Sequence, residues 1–299
     1  MTPQTKPLVT VFGSLHYDIM VEAADRPRKG ETVAGHAWHP KCGGKGGNQA
    51  VSAARAGASA AMIGTVGDDD FGAALLVNLD RAGVDRRFVR VAPGAGSGMS
   101  VAIFDEGGDY GAVIVSGSNL TLADTDIASA SEMVARTAVL LLQNEVPEAA
   151  NIAAARAVKA QGGRVVLNAA PARALSGTLI ALVDILVVNA IEAEFLAGEV
   201  MVETLDGAMD ATRRLVDLCP VAIVTAGGEG VACCSRTGED FALAAIPVKL
   251  VSTHGAGDEF VGALAAALAR GEPMRKAVAA ANAASARLVS TPEAERHAL

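Results

Sequence analysis

The stretch AVLLLQNEVPEAANIAAARAVKAQGGRVVL, residues 138–167, decides the fold class. Residues 138–142 and 165–167 are short apolar runs bounded by Gly, Asn or charge, and both read as buried strands. Between them, residues 148–160 carry apolar side chains at three-to-four spacing, with Pro147 where a first helical turn tolerates it. Working outward, residues 8–12, 185–188 and 222–225 repeat the strand signal. Residues 48–56, 70–82, 208–218, 258–269 and 273–290 repeat the helical one. Strand and helix alternating in this way predict an α/β chain with a mostly parallel sheet covered on both faces.

Two stretches break the rhythm. Residues 17–40 and 97–116 are strand-like, carry turn signals at Arg26-Pro27-Arg28-Lys29-Gly30 and Glu106-Gly107-Gly108-Asp109, and contain no helical pattern. They are expected to be hairpin-type insertions, at about 14–42 and 97–119, forming a small second sheet. Rooted near the carboxyl ends of the main strands, such a sheet is placed to act as a lid.

At 299 residues, 51% hydrophobic and 19% charged, the chain has material for a sizeable core and is not of disordered composition. Its 33 acidic against 25 basic residues, a net charge of −8, point away from nucleic acid or an anionic membrane and toward a small-molecule partner. The polar residues 1–7 run straight into the first strand without a basic segment and long apolar stretch, so no signal peptide is expected. No apolar run approaches the ~20 residues of a bilayer span. Cys42, Cys219, Cys233 and Cys234 form neither a CxxC pair nor a disulfide framework, which suits a reduced, cytoplasmic setting. Cys233 and Cys234 read as buried small hydrophobes, and Cys42 as an exposed thiol.

Two glycine motifs carry the chemistry. Gly43-Gly44-Lys45-Gly46-Gly47-Asn48-Gln49-Ala50 sets four glycines around one lysine, then opens a helix at Asn48. It reads either as a backbone cradle for a polar substrate or as an ordinary turn, and it lacks the spacing and Lys-Ser/Thr ending of a Walker A loop. Ser252-Thr253-His254-Gly255-Ala256-Gly257-Asp258 follows a strand-like run at 246–251 and precedes a helix from Asp258. The amides of Gly255, Ala256 and Gly257 at a helix N-terminus make an anion hole suited to a phosphoryl group. Asp258 there either takes a proton from a substrate hydroxyl or serves the helix as a cap. Thr225-Ala226-Gly227-Gly228-Glu229-Gly230 offers backbone to a nucleotide or simply joins strands. Asn189-Ala190-Ile191-Glu192 suits phosphate and hydrated Mg²⁺, or equally a helix cap with a first-turn Glu.

With both glycine motifs in one chain, residues 43–67 and 252–265 resemble the two signatures of the ribokinase/PfkB family of sugar kinases. Asn48, Gly57 and Gly67 are in register with the first signature, and the likeness extends over nearly the whole chain except its last ten or so residues. Gly44-Lys45-Gly46, Glu145 and Asn168-Ala169-Ala170-Pro171-Ala172-Arg173 resemble the ribokinase branch. The resemblance implies a ribokinase-like three-layer α/β/α sandwich, one domain over 1–299, with an inserted β-sheet lid that pairs in a homodimer. It implies a kinase moving the γ-phosphoryl of ATP to the hydroxymethyl of D-ribose or a related pentose. His16, Asp18, Gly44, Lys45, Asn48 and Glu145 would surround the sugar, with Asp258 as catalytic base beside Gly255, Ala256 and Gly257. Asn189, Thr225, Gly227, Gly230 and Asn282 would contact ATP, and Glu192 would hold Mg²⁺ through water. A monovalent cation, K⁺, would sit at Ser252, His254 and Val289.

Three departures stand out. His16 replaces an Asn that touches the sugar, exchanging a planar amide for a titratable ring. Ser252 replaces the family's usual Asp, and Ser290-Thr291-Pro292-Glu293-Ala294 lacks the basic-Gly-Ala segment of ribokinases; in the family both stretches build the monovalent-cation site. An ordinary Asp has a pKa of about 3.9, and a helix N-terminus favours its ionised form, so Asp258 is expected to be a weak base that takes its proton late. Two other readings use the same residues: a nucleoside kinase of adenosine type, needing a wall for the base from His16, Trp38 or His39, and a non-catalytic sugar- or nucleotide-binding regulator. Lys45 favours a free sugar, and an intact Asp258 with its glycine turn favours catalysis.

Overall fold

A computed structural model describes residues 7–107, 109–198 and 201–299. The elements run β1 (Leu8–Phe12), β2 (His16–Ala23), β3 (Gly35–Gly43), α1 (Lys45–Arg55), β4 (Ser59–Gly67), α2 (Asp70–Arg81), β5 (Asp85–Ala92), β6 (Gly98–Phe104) and β7 (Tyr110–Val115). After them come α3 (Asp124–Ser129), α4 (Ser131–Val134), β8 (Thr137–Gln143), α5 (Glu148–Ala160), β9 (Arg164–Asn168), α6 (Gly177–Ile180), β10 (Ile185–Asn189), α7 (Ala190–Ala197) and α8 (Leu205–Leu215). The chain ends with β11 (Val221–Thr225), β12 (Gly230–Ser235), β13 (Phe241–Ala244), α9 (Ala256–Ala269), α10 (Met274–Ser290) and a 3₁₀ turn, Glu293–Ala298.

The main sheet has the order β13-β12-β11-β10-β9-β8-β1-β4-β5. Its strands pair in parallel from β5 through β11, and β12 and β13 are added antiparallel at one edge. Apolar runs such as β8 feed both faces. Leu140 and Leu142 pack with α5 and α8 on one side, while Val139 and Leu141 pack with α1, α9 and α10 on the other. That double burial is why the strands read as continuous apolar runs. A separate sheet of order β3-β2-β6-β7 is built from the two insertions. Asn119 clamps its root, accepting from the Leu15 amide and donating to the Leu15 carbonyl, each at 2.9 Å. Tyr17 of β2 stacks on Phe71 of α2 with ring centroids 4.5 Å apart. Among the described residues, no helix is long and apolar enough to cross a membrane.

Several expected boundaries move. The strand expected at 246–251 does not form: Ile246, Val248, Leu250 and Val251 are exposed, and among the described residues no strand pairs with the segment. Helix α1 starts at Lys45 rather than Asn48, because Gly44 at φ 81° turns the chain and three glycine-flanked residues then continue helically against β1. Helix α9 begins at Ala256, with left-handed Gly255 before it. Helix α8 begins at Leu205, where the Thr204 hydroxyl accepts the Gly207 amide. Strands β4 and β5 carry too much Ala, Gly and charge to announce themselves in the sequence.

One contact matters most for the site. A Cβ on Gly262 of α9 would lie 2.4 Å from the Ser52 Cβ of α1, so glycine lets the two helices close together. Their N-termini consequently meet at the carboxyl ends of the parallel strands.

Candidate active site

The first glycine motif is a packing device. A Cβ on Gly44 would sit 2.7 Å from the His16 amide nitrogen, and one on Gly46 would sit 2.6 Å from the Ser14 nitrogen. Only glycine allows the first turn of α1 to lie on the chain leaving β1. A Cβ on Gly43 would collide with the Asp18 carboxylate, so that glycine makes room for a side chain of the expected sugar set. Asp18 in turn accepts the Ser100 hydroxyl from β6.

Held by this turn, α1 presents two amides to one acid. Asn48 Nδ2 donates to Asp258 Oδ2 at 2.9 Å, and Gln49 Nε2 donates to Asp258 Oδ1 at 3.0 Å. Gln49 is fully buried, shares its Nε2 with Asn168 Oδ1 at 3.0 Å, and accepts Gln143 Nε2 at 2.7 Å. Buried amides must find partners, and here they form a relay from β8 and β9 to the acid at the tip of α9. Burial pushes the Asp258 carboxyl above the ordinary value; the Lys45 charge and the Asn48 and Gln49 hydrogen bonds oppose it without cancelling it, and Glu145 adds to it. The weak base expected from a helix N-terminus alone is therefore corrected upward, because desolvation outweighs the helix end.

Lys45 faces the same point. Burial works against its ammonium, but Asp258, Glu145 and Glu192 outweigh that and hold its pKa above the ordinary value. Glu145 Oε2 accepts the Lys45 amide at 2.9 Å and the Ser14 hydroxyl, and lies 3.7 Å from His16 Nδ1. His16 is 3% exposed, and its Nε2 has no hydrogen-bond partner among the described residues.

The far side is built differently. Asn189 and Glu192 form a capping box at the start of α7: the Asn189 side chain accepts the Glu192 amide at 3.0 Å, and Glu192 Oε2 accepts the Asn189 amide at 2.8 Å. The cap reading thus holds, yet Glu192 also feels the charges of Lys45 and Asp258, and burial raises its pKa. Thr225 Oγ1 donates to the Val188 carbonyl at 3.4 Å. Gly227 has φ 54° and open space where a Cβ would stand, whereas Gly230 is needed by the sheet, since a Cβ would meet the Leu243 carbonyl at 2.1 Å. Asn282 Nδ2 donates to the Ala244 carbonyl at 2.9 Å. In the second glycine motif the Ala256 amide, expected in the anion hole, instead donates to the Thr253 carbonyl at 3.2 Å inside the turn, while Gly257 borders open space. A cleft of about 1130 Å³ reaches Asn48, His254, Gly255 and Asp258, though α1, α2 and the C-terminal turn supply most of its other walls.

The two metal expectations fare differently. Among the described residues, no three His, Cys, Asp or Glu side chains cluster to hold a metal. A single buried carboxylate, Glu192, suits Mg²⁺ held mainly by phosphate oxygens and water. The K⁺ ligands do not fit. Arg296 Nη2 donates to the Ser252 carbonyl at 3.0 Å and Nη1 to the His254 carbonyl at 2.9 Å, while the Val289 carbonyl accepts the amides of Val251 and Ser252.

The profile of the pfkB family carbohydrate kinases matches residues 6–297. The chain belongs to that family. It is 36% identical to mouse (Mus musculus) ribokinase over 87% of this chain and 81% of that one. It is 33% identical to the deoxyribokinase of Salmonella typhimurium, over 86% and 84%. The structure of Arabidopsis thaliana ribokinase complexed with ribose and ATP superposes with a TM-score of 0.90 at 30% identity, covering 98% of this chain and 96% of that one. This PfkB chain is a phosphotransferase, with the ribokinase-like α/β fold.

Three side chains that the structure brings to the candidate residues escaped the sequence reading: Gln49, Ser100 and Arg296. Gln49 stood inside the quoted motif, and its signal was a large polar side chain at the start of a small-residue helix that must be buried. Ser100 and Arg296 carry no local signal. Cys233 and Cys234 are buried as expected; Cys42 is only half-exposed, and burial raises its pKa.

Proposed function

We propose that this PfkB kinase transfers the γ-phosphoryl group of ATP to the hydroxymethyl of a pentose, ribose or a near relative. The observation that carries this reading is the Asp258 carboxylate, buried at the N-terminus of α9 and gripped by Asn48 and Gln49. Asp18, Gly44, Lys45, Asn48, Glu145 and His16 orient the sugar so that one hydroxyl reaches Asp258. With its pKa raised, Asp258 is a better proton acceptor than an ordinary Asp and takes the hydroxyl proton as the new P–O bond forms. Lys45 and the amides at Gly255 and Gly257 stabilise charge moving onto the phosphoryl oxygens.

On the nucleotide side, Asn189, Thr225, Gly227, Gly230 and Asn282 position ATP, with the exposed apolar Ile246, Val248 and Leu250 offering an apolar surface to its base. Glu192 would hold Mg²⁺ through water, and the ion when bound offsets phosphate charge. The four-stranded sheet acts as a lid on the single domain 1–299, excluding water during transfer. Its exposed Trp38, Val113 and Val115, which the strand register puts on one face of the sheet, offer an apolar surface suited to pairing two copies of the chain as a homodimer. Sedimentation velocity should accordingly give a dimer that Val113→Lys dissociates, and a wild-type monomer would remove that part of the reading.

His16 bears on the choice of sugar, since its unpartnered Nε2 is a polar atom that a sugar hydroxyl can satisfy. Coupled ADP release measured across pentoses, deoxypentoses, hexoses and nucleosides tests the whole proposal. The expected outcome is fastest turnover on a pentose and little ADP release without sugar. Preference for a nucleoside would move the assignment to the nucleoside kinases, and no turnover on any acceptor would favour a binding regulator.

A further inference from the structure

We infer that Arg296 is a built-in monovalent cation, tethered to the chain, that holds the phosphate-binding turn in place of a free ion. The residue is 8% exposed, and its guanidinium donates to the backbone carbonyls of Thr291, Ser252 and His254 at 3.0, 3.0 and 2.9 Å. Backbone carbonyl oxygens are also the ligands an alkali ion takes, and here three of them are held by a permanently charged side chain instead. Two of those carbonyls belong to the three residues before Gly255, the left-handed residue that opens α9. The cation thus sits directly behind the turn that meets the transferred phosphoryl group.

The surrounding charges support the substitution. Glu293 lies 3.7 Å from Arg296 and 3.3 Å from Lys41 of β3, and accepts the Ser252 hydroxyl at 3.3 Å. Lys41, Arg296 and Glu293 together leave one net positive charge, the charge of a single alkali ion. A second cation at the same carbonyls would face like-charge repulsion at close range. The Val289 carbonyl is also unsuited as a ligand, since it already accepts the amides of Val251 at 2.8 Å and Ser252 at 3.2 Å. Arg296 is therefore a positioning residue: it acts on phosphate through residues 252–255 and does not touch the reacting atoms.

The inference rests on the kinase reading, and its test includes a readout that needs no turnover. Thermal melting, calorimetric binding of a non-hydrolysable ATP analogue, and KM for ATP and for sugar are measured in KCl and in tetramethylammonium chloride at equal ionic strength. The wild-type protein is expected to give the same values in both salts. In tetramethylammonium, Arg296→Gln should weaken analogue binding and raise the KM for ATP on the order of tenfold, the loss expected when charge-assisted hydrogen bonds disappear. The KM for sugar should hold, and K⁺ or guanidinium ion should restore most of the loss. Arg296→Lys, which keeps the charge but not the fork, should fall between the two. K⁺ dependence of the wild-type protein in melting or nucleotide binding overturns the inference even if Arg296→Gln does not fold. An Arg296→Gln protein that binds nucleotide normally in tetramethylammonium overturns it as well. Absence of activity on every acceptor, with the melting and binding results as expected, would instead sink the kinase reading and leave the tethered cation standing.

Discussion

The two sides proposed for the acceptor and for the nucleotide are made of different material. On the acceptor side, α1 and α9 bring Asn48, Gln49, Lys45 and Asp258 into a buried network of side chains, backed by Asn168 and Gln143. On the nucleotide side, the candidate contacts are glycines beside open space, a capping box and a threonine bonded to a neighbouring strand. Preformed side-chain networks fix geometry and shift pKa values, whereas open glycine backbone admits a large ligand without setting a chemical preference. Choice of acceptor and proton transfer should therefore be concentrated on one side, and affinity for the phosphate donor on the other.

The sharpest way to break this division is Asp258→Asn. Removing the carboxylate should lower kcat by about 100-fold or more, the scale of general base catalysis, while binding of an ATP analogue changes little. Steady-state kinetics with calorimetry of analogue binding checks both halves. A variant that turns over near the wild-type rate would remove Asp258 from the chemistry and with it the contrast between the sides.

The glycines give a second comparison, read in stability. Gly46→Ala places a Cβ 2.6 Å from the Ser14 nitrogen, an overpacking that should cost about 1–3 kcal/mol and lower the melting temperature by several degrees. Gly257→Ala meets no atom within 4 Å, so the fold should tolerate it and the effect should appear in the KM for ATP. Equal losses of stability in the two variants would mean that the second turn is as tightly packed as the first.

The same contrast explains what could be read from the sequence. Helix α5 spans Glu148–Ala160, as its periodicity predicts, because helix spacing and a proline start are local signals. The start of α1 was hidden because Gly46 and Gly47 are poor helix formers and are packed against Gly13 and Ser14, far away in the sequence. Gln49 shared a motif with Asn48, but its partners Gln143, Asn168 and Asp258 lie far along the chain, and sequence spacing says nothing about which buried amides meet. Arg296 stands 42 and 44 residues from the carbonyls it binds, beyond either motif. The open glycine turns of the nucleotide side were legible as motifs for the opposite reason, since their role depends on backbone freedom that glycine itself advertises.

The finest test concerns the acidity of Asp258. A base must be ionised, so kcat/KM should fall as pH drops through the Asp258 pKa, and because burial raises that pKa the acid limb should lie above the range of an ordinary Asp. Lys45 and the amides of Asn48 and Gln49 pull in the other direction, favouring the ionised form. Gln49→Leu removes one of those hydrogen bonds without adding charge, so the limb should move further up in pH, and kcat/KM near neutrality should fall less than in Asp258→Asn. Lys45→Met should move it in the same direction by removing a charge. A substitution on the nucleotide side, Thr225→Val, touches none of these groups and should leave the limb where it was while altering the KM for ATP. A limb that shifts equally in Gln49→Leu and Thr225→Val would mean that the two sides titrate as one, and that the amide relay does not tune Asp258.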